Sequence, residues 1–315
     1  MRIQLLTLFI RGTWCLSSRD RGPANNPSPD MMSRRDALAS IPTSATTAAT
    51  LASVVAAYPT QQASAALAGG LAAKLSKRDP AALKNSVFNV PPSAQVYPDF
   101  MRGEWEVTEK FSGYVFPSTT IPKSKIIADV QLPGFQKCSI AAISDIGREL
   151  TTYRMRIDAK SGLEDRKYNL ANAIGGHLGY NAVESVDYDV QSNPNRVSIT
   201  FVPNRTRNAE RVELFFNARE SELVPNPRDE NYRVFVCSEY TRQVTFSLSQ
   251  EFGIARQVVG NYAHFWTWRE QPDGDTLTGN VLTAAYLDPQ DSLFFEEPSK
   301  PVVVYSHNLE AKKVV

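Results

Sequence analysis

Residues 102–111 read RGEWEVTEKF, and this stretch sets the expectation for the whole fold. Apolar and polar residues alternate along it, which is typical of a β-strand with one buried face. Because side chains of a strand repeat every two residues, Trp105 and Val107 are predicted to point inward while Glu104 and Glu106 point outward.

The same alternation, rich in β-branched and aromatic residues, recurs after Tyr97. Examples are LTTYRMRID (150–158), NRVSITFVP (195–203), ERVELFFNA (210–218), YRVFVCSEYTRQVTFSL (232–248), YAHFWTWREQ (262–271) and VVVYSHNLE (302–310). Turn residues at Asn193-Pro194-Asn195 and Pro272-Asp273-Gly274-Asp275 favour antiparallel hairpins between neighbouring runs. These patterns predict an all-β fold of roughly eight to ten antiparallel strands, closed as a barrel or stacked as a sandwich.

The start of the first strand favours the barrel. Arg102-Gly103-Glu104-Trp105 resembles the Gly-x-Trp motif of lipocalins, whose Trp packs across the base of an up-and-down barrel. The strings YPDFMRGEWEVTEKFSGYVFP (97–117), TAAYLDPQDSLFFE (283–296) and PVVVYSHN (301–308) resemble a family of uncharacterised cyanobacterial and plastid proteins, described only by a domain of unknown function. That resemblance implies a lipocalin-like barrel and a lumenal location, and it implies no catalytic residue.

The first 65 residues are predicted to be targeting segments. Residues 31–65 contain Arg34-Arg35, a weakly apolar run and the small-residue site Ala63-Ser64-Ala65, as in a twin-arginine export signal. Residues 1–30 are rich in Arg and Ser, which is typical of a plastid transit peptide. In series, the two segments predict import into the chloroplast and then export into the thylakoid lumen.

The alternative is a misassigned start, with Met31 or Met32 opening a bacterial exported protein. In both cases the mature chain is expected to begin near Ala66. An extended or helical arm is predicted over residues 66–96, and the barrel domain over residues 97–315.

Composition argues against several classes of partner. The chain has 34 Lys and Arg against 33 Asp and Glu, so its net charge of +1 gives no field that favours nucleic acid. No stretch reaches the about 18 strongly apolar residues of a membrane-spanning helix. The three cysteines match no metal-ligand spacing. Cys138 and Cys237 lie in apolar, strand-like runs and are expected to be buried thiols or a disulfide in an oxidising lumen.

The sequence assigns no catalytic residue, no metal ligand and no cofactor. The mature chain has three histidines, His177, His264 and His307, and no G-x-S-x-G nucleophile motif. The glycine-rich NAIGGHLGYN (172–181) lacks the phosphate and dinucleotide motifs and is predicted to be a flexible loop between strands.

Candidate ligand-binding residues centre on the aromatic run at 262–268. Period two places His264, Trp266 and Trp268 on one face and Phe265 on the other. If the first face is inward, it forms the apolar wall with polar groups that is typical of a small-molecule pocket. If it is outward, the tryptophans form a docking patch, and in either orientation aromatics can simply fill a core. The predicted ligand-binding set is Trp105, Tyr153, Arg154, His264, Trp266, Trp268 and Tyr286.

Within the strand 150–158, Tyr153 and Arg154 must face opposite ways, so only one of them sees the interior. An enzyme on this fold would need acidic and Tyr side chains clustered inward. Glu104, Glu106, Asp187 and Asp189 lie in predicted strands, and no sequence feature brings them together.

The expected function is a non-enzymatic, lipocalin-like barrel of the thylakoid lumen. As a monomer it would bind a small apolar or amphipathic ligand, such as a pigment, lipid or quinone, as an auxiliary factor of photosynthesis. One alternative is a side-chain-filled barrel that docks on a photosystem subunit, and another is an enzyme of the same fold acting on a pigment or lipid. An interior of several hundred Å³ favours ligand binding, whereas a filled interior favours docking.

Overall fold

The computed structural model describes residues 70–80, 83–84, 92–129, 132–133, 137, 139–141, 150–206, 209–248 and 255–314. All of these residues belong to one compact unit of the chain. The two predicted targeting segments and Cys138 lie outside the described residues.

Nine β-strands make up most of this structure. They are β1 (Gly103–Val115), β2 (Thr151–Ile157), β3 (Val183–Asp189), β4 (Asn193–Phe201), β5 (Arg211–Asn226), β6 (Asp229–Leu248), β7 (Ala255–Glu270), β8 (Thr276–Tyr286) and β9 (Val303–Lys313). The described helices are α1 (Leu71–Ser76), α2 (Lys123–Ala128) and α3 (Arg166–Leu178), with short 3₁₀ turns at Asp99–Met101 and Phe294–Glu296. The predicted all-β class is confirmed.

The strands form one antiparallel sheet in the spatial order β2-β1-β9-β8-β7-β6-β5-β4-β3. The predicted turn around Gly274 joins β7 to β8, and its φ of 70° is a conformation that glycine adopts without strain. β2 and β3 are the two edges, and the described pairings contain none between them. Closure into a barrel therefore remains a prediction.

The inner face of the sheet, defined by Trp105 of β1 and Trp266 of β7, encloses a core. Trp105 belongs to one buried cluster with Phe235 of β6 and Trp268 of β7. Helix α3 contacts both edge strands, β2 and β3, which would lie about 38 Å apart in a flat sheet at about 4.8 Å per strand, so the sheet must be strongly curved. Trp105 and Val107 are both fully buried, and the Trp105 indole donates a hydrogen bond to the Met101 carbonyl at 2.7 Å.

Helix α3 spans the gap between the two edge strands, because it packs against both β2 and β3. The predicted loop at residues 172–181 is wrong for its first seven residues, which form the second half of this helix. Asp165 caps the N-terminus by accepting from the Tyr168 amide, and Gly179 ends the helix at a φ of 78°. These local signals, together with packing, outweigh a glycine pair that is unfavourable in an isolated helix.

Asn169 of α3 completes part of the hydrogen bonding of edge strand β2. Its side-chain oxygen accepts from the Arg156 amide at 2.6 Å, and its side-chain nitrogen donates to the Arg156 carbonyl at 3.1 Å. An exposed edge would leave these two backbone groups to water or to another strand. The helix therefore protects the edge strand β2. Its C-terminal turn lies at the gap between the two edge strands, β2 and β3.

The N-terminal arm packs on the opposite, outer face. Leu71 of α1 and Leu83 are buried in a cluster with Val236 and Phe265. Glu222 of β5 accepts a hydrogen bond from the Ala72 amide at 2.9 Å. The described part of the arm thus belongs to the folded unit.

Candidate functional site

The structure places five of the predicted ligand-binding residues on the inner face. These are Trp105, Tyr153, His264, Trp266 and Trp268, and their strand registers align them along β1, β2 and β7. The other two lie on the outer face. Arg154 pairs with Glu106 at 3.3 Å, and the Tyr286 hydroxyl donates to the Leu83 carbonyl at 2.7 Å.

Much of the inner face is filled with protein. Trp105 and Trp268 are core residues, and residues 139–141 insert against β6 and β7. Ser139 Oγ is hydrogen-bonded to His264 Nε2 at 2.8 Å, and the Ile140 amide donates to the Gln243 side chain at 2.8 Å. Burial lowers the pKa of His264 to about 4, so its imidazole is neutral at physiological pH.

A small cavity of about 40 Å³ remains on the inner face. The described residues that line it are Glu109, Ala141, Thr151, Tyr153, Ala173, His177, Trp266 and Val281. A volume of this size holds a few water molecules, whereas drug-sized ligands occupy about 300 to 1,000 Å³. This cavity is therefore too small for a whole pigment or lipid.

Polar groups cluster in this cavity around the Glu109 carboxyl group. Tyr153 donates a hydrogen bond to it, and His307 Nδ1 lies 3.6 Å from Glu109 Oε1. The Glu109 side chain is only 12% exposed. Burial raises the pKa of Glu109 to about 7, with the Tyr153 hydrogen bond opposing this rise. A carboxyl group of this kind can give and take a proton near neutral pH.

An open groove of about 600 Å³ lies between β1–β2 and α3. Glu106, Thr152 and Arg154 contribute one side, and Asn172, Gly176 and Tyr180 are among the residues on the other. Tyr153 borders both this groove and the inner cavity. The groove has the volume of a small-molecule site. Because Tyr153 lines both spaces, the groove lies near the cavity that contains the Glu109 carboxyl group.

Sequence reasoning missed Glu109, although the signal was available. In RGEWEVTEKF the period of two places Glu109 on the same face as Trp105 and Val107. The acidic residues that were singled out lie elsewhere, since Glu104 and Glu106 are on the outer side of β1. Asp187 and Asp189 of β3 are exposed.

A second buried polar network holds α3 in place. Glu239 of β6 pairs with Arg166 of α3 and accepts from Arg219 of β5 at 2.6 Å. The Phe216 ring lies against both guanidinium groups, at 4.4 Å and 4.6 Å. Burial alone would raise the pKa of Glu239, but the two arginines outweigh it and lower that pKa to about 2. The Glu239 carboxylate and the two guanidinium groups neutralise one another within the protein. We therefore interpret this network as structural.

Arg219 extends this network to the N-terminal side of the domain. Its remaining guanidinium nitrogens donate to the Ser93 carbonyl and the Pro194 carbonyl, both at 2.9 Å. One buried side chain thus joins the arm, the start of β4 and the centre of β6. Four of the five N–H groups of this arginine are therefore used within the protein.

The described residues give little support for a metal site, a membrane-spanning helix or a reactive cysteine. No group of three His, Cys, Asp or Glu side chains there is arranged to hold a metal ion. Within the same residues, no helix has the length and apolarity to cross a membrane. Cys237 is a buried free thiol, and burial raises its pKa. Its predicted disulfide partner, Cys138, lies outside the described residues.

The fold and cavity together define an antiparallel β protein whose curved sheet, bridged by one helix, surrounds a buried carboxyl group. The chain belongs to the family described as "Domain of unknown function (DUF6816)", whose model matches residues 90–315. This match includes all nine strands, α2 and α3, and it confirms the predicted membership of a family described only by a domain of unknown function. Searches of curated proteins and of solved structures found no match.

Proposed function

We propose that this protein is a non-enzymatic, lipocalin-like protein of the thylakoid lumen that binds a small amphipathic ligand. The carrying observation is the groove of about 600 Å³, which shares one lining residue, Tyr153, with the Glu109 cavity. A pigment, a lipid or a quinone of this class would place its body in the groove, because the inner cavity holds only a small polar end. The cyanobacterial or plastid origin of the chain belongs to the same proposal.

The lining of the groove suits a ligand that is partly polar. Glu106 and Arg154 form an ion pair at 3.3 Å on the strand side, and Asn172 adds an amide from the helix. Gly175 presents backbone without a side chain, which leaves room for a ligand ring to lie close to the helix. Polar groups at the rim and a smooth floor are common in small-molecule sites.

The lumenal location is supported by the order of the two targeting segments. Arg34-Arg35 precedes a weakly apolar run that ends at Ala63-Ser64-Ala65, and an Arg- and Ser-rich leader precedes both. The test is N-terminal sequencing of the protein from fractionated chloroplasts. A first residue near Ala66 in the lumen fraction supports the proposal, and an unprocessed chain in the stroma overturns it.

Ligand binding is tested by native mass spectrometry, with an absorption spectrum, on the mature protein purified from its own organism. We expect a co-purifying molecule of pigment, lipid or quinone mass. Gly175→Leu, which fills the groove, should lose this molecule, whereas Lys167→Leu on the exposed side of the same helix should keep it. A clean protein mass, with no binding of added pigment, lipid or quinone, would overturn the proposal.

A second candidate is a docking or assembly factor for a photosystem subunit. The observation that favours it is the filled inner face, in which Trp105 and Trp268 are core residues and not pocket walls. Cross-linking in intact thylakoids tests this candidate. It requires a reproducible link to one photosystem subunit that persists in the Gly175→Leu variant.

A further inference from the structure

We propose that the Glu109 cavity binds a neutral carbonyl oxygen of the ligand, and that Glu109 must be protonated to do so. This proposal rests on the proposed function and adds the chemical group that the site recognises. It also makes ligand binding dependent on pH, with capture in acid and release in base.

The free hydrogen-bonding capacity of Glu109 supports this assignment. Tyr153 donates to the carboxyl group, whereas Glu109 Oε1 is buried and has no hydrogen-bond partner among the described residues. His307 Nδ1, at 3.6 Å, is beyond hydrogen-bond distance from this oxygen. A buried polar atom without a partner is costly, and a ligand atom in the adjoining cavity would satisfy it.

The groups that face Glu109 from each neighbouring element set the charge it carries. Tyr153 approaches from β2, His307 from β9 and His177 from α3 across the cavity, while Trp266 and Val281 contribute apolar wall. No Lys or Arg is among the described residues that line the cavity. An ionised Glu109 therefore lacks a permanent cationic partner, and burial favours its neutral form.

Protonation decides what the cavity can recognise. A protonated carboxyl group has one O–H to donate, and Tyr153 has already used its own O–H on Glu109. The complementary ligand atom is an oxygen that can only accept, such as the carbonyl oxygen of a ketone or a quinone. An ionised Glu109 would repel that atom's lone pairs, so the same cavity would release the ligand.

We expect one end of the ligand to occupy the cavity and the rest of it to occupy the groove. With about 40 Å³ the cavity admits one oxygen-bearing end, and the groove of about 600 Å³ takes the remainder. Tyr153 borders both spaces, so a ligand that reaches Glu109 passes this side chain. Trp266 also lines the cavity, and its fluorescence reports occupancy directly.

The experiment compares two probes of the same shape. Duroquinone is a neutral, fully substituted quinone, so it cannot add a thiol at the ring, and durene is the same ring and methyl groups without the oxygens. Binding to the mature protein is measured by calorimetry and by Trp266 quenching from pH 5 to pH 9. Because only the protonated fraction binds and the pKa of Glu109 is about 7, duroquinone affinity should fall about 100-fold by pH 9. Durene should bind more weakly and without pH dependence.

Variants assign the pH dependence to one residue. Glu109→Gln keeps a donor but cannot titrate, so we expect duroquinone to bind it at all pH values with a flat profile. Glu310→Gln, at an exposed glutamate of the neighbouring strand β9 that lines neither the groove nor the cavity, should keep the wild-type profile. His307→Gln should also retain the fall in affinity, and a flat profile in that variant would assign the titration to His307 and overturn the proposal.

The remaining outcomes separate this proposal from the proposed function. If duroquinone binds equally at all pH values, or no better than durene, the Glu109 assignment is wrong while groove binding stands. If duroquinone fails to bind at pH 5, the assignment is also wrong, and the co-purified ligand then decides the proposed function. If no ligand co-purifies with the protein and duroquinone does not bind, both proposals fail.

Discussion

The backbone of Gly176 in α3 lies directly against the carbonyl oxygen of Thr152 in β2. A Cβ added at Gly176 would lie 2.4 Å from that oxygen, closer than any ordinary contact. We therefore expect Gly176→Ala to push the helix from the strand and to lower the free energy of unfolding by about 1 to 3 kcal/mol. Urea denaturation followed by circular dichroism measures this loss.

The neighbouring glycine provides the matched control. A Cβ at Gly175 would lie 3.8 Å from the Tyr180 carbonyl oxygen, which is an ordinary contact. Gly175→Ala should then raise the free energy of unfolding by about 0.5 to 1 kcal/mol, because alanine loses less backbone entropy in a helix. Equal effects of the two variants would mean that close packing on β2 is not the reason for the glycine pair.

Removal of the charge on Glu239 should be among the most damaging single changes in the protein. Glu239→Gln leaves the buried guanidinium group of Arg219 without its carboxylate partner and leaves Arg166 only the contact with Glu164 at 3.4 Å, so we expect a loss of about 3 to 5 kcal/mol in the free energy of unfolding. Thermal and urea denaturation report it. As a control, Glu104→Gln breaks the surface pair with Arg156 and should cost at most about 1 kcal/mol. A loss as small for Glu239 as for Glu104 would contradict the structural role of the network.

His264 should make the fold less stable in mild acid. Its folded-state pKa, about 4, lies below the ordinary value of 6.5, so the unfolded chain takes up a proton first as the pH falls. The stability that the neutral His264 contributes is complete above pH 6.5 and is lost between pH 6.5 and pH 4. At 1.36 kcal/mol per pH unit, the expected loss is about 3 kcal/mol.

The variant His264→Gln isolates this effect, because it keeps a side chain able to bond Ser139 and removes the titration. Urea denaturation of both proteins at pH 7.5, 5.5 and 4.5 gives the difference in unfolding free energy. Titration of Glu109 is common to both and cancels in that difference. The wild type should lose stability relative to the variant as the pH falls, and a constant difference would show that His264 does not titrate as expected.

Tyr286 and Tyr153 should respond differently to the same substitution. Tyr286→Phe removes the hydrogen bond to the Leu83 carbonyl on the outer face and should cost about 1 kcal/mol, with ligand binding unchanged. Tyr153→Phe removes the hydrogen bond that opposes the rise in the pKa of Glu109, so the fall in duroquinone affinity should move to higher pH. Calorimetry on the two variants across the pH range makes the comparison, and a shifted profile in Tyr286→Phe alone would reverse the assignment of faces.

Local alternation was enough to predict the strands and their faces. Trp105 and Val107 point inward because a strand has a fixed period of two, and the same period was sufficient to place Glu109 beside them. The helix α3 was not predictable in the same way. Its second half, with Gly175 and Gly176, has weak helical preference in isolation and depends on contacts with β2 and β3.

The composition of the candidate site depends on contacts that are distant in the sequence. His307 comes within 3.6 Å of Glu109 because β9 pairs with β1, and periodicity contains no information on strand order. The buried pair of Arg166 and Glu239 likewise joins a helix to a strand 73 positions later. Such partners follow from topology, which local sequence patterns leave open.

The position of β9 in the sheet has a consequence for folding during synthesis. β9 is the last of the nine strands in sequence, yet it lies between β1 and β8, where Trp105 of β1 faces Lys313. Synthesis reaches this strand after the other eight described strands, so the facing edges of β1 and β8 stay open until β9 has been made, and open edges recruit other chains. The twin-arginine route carries folded cargo. If export follows this route, a chain truncated before β9 would lack a complete sheet, would not be exported, and would be degraded in the stroma.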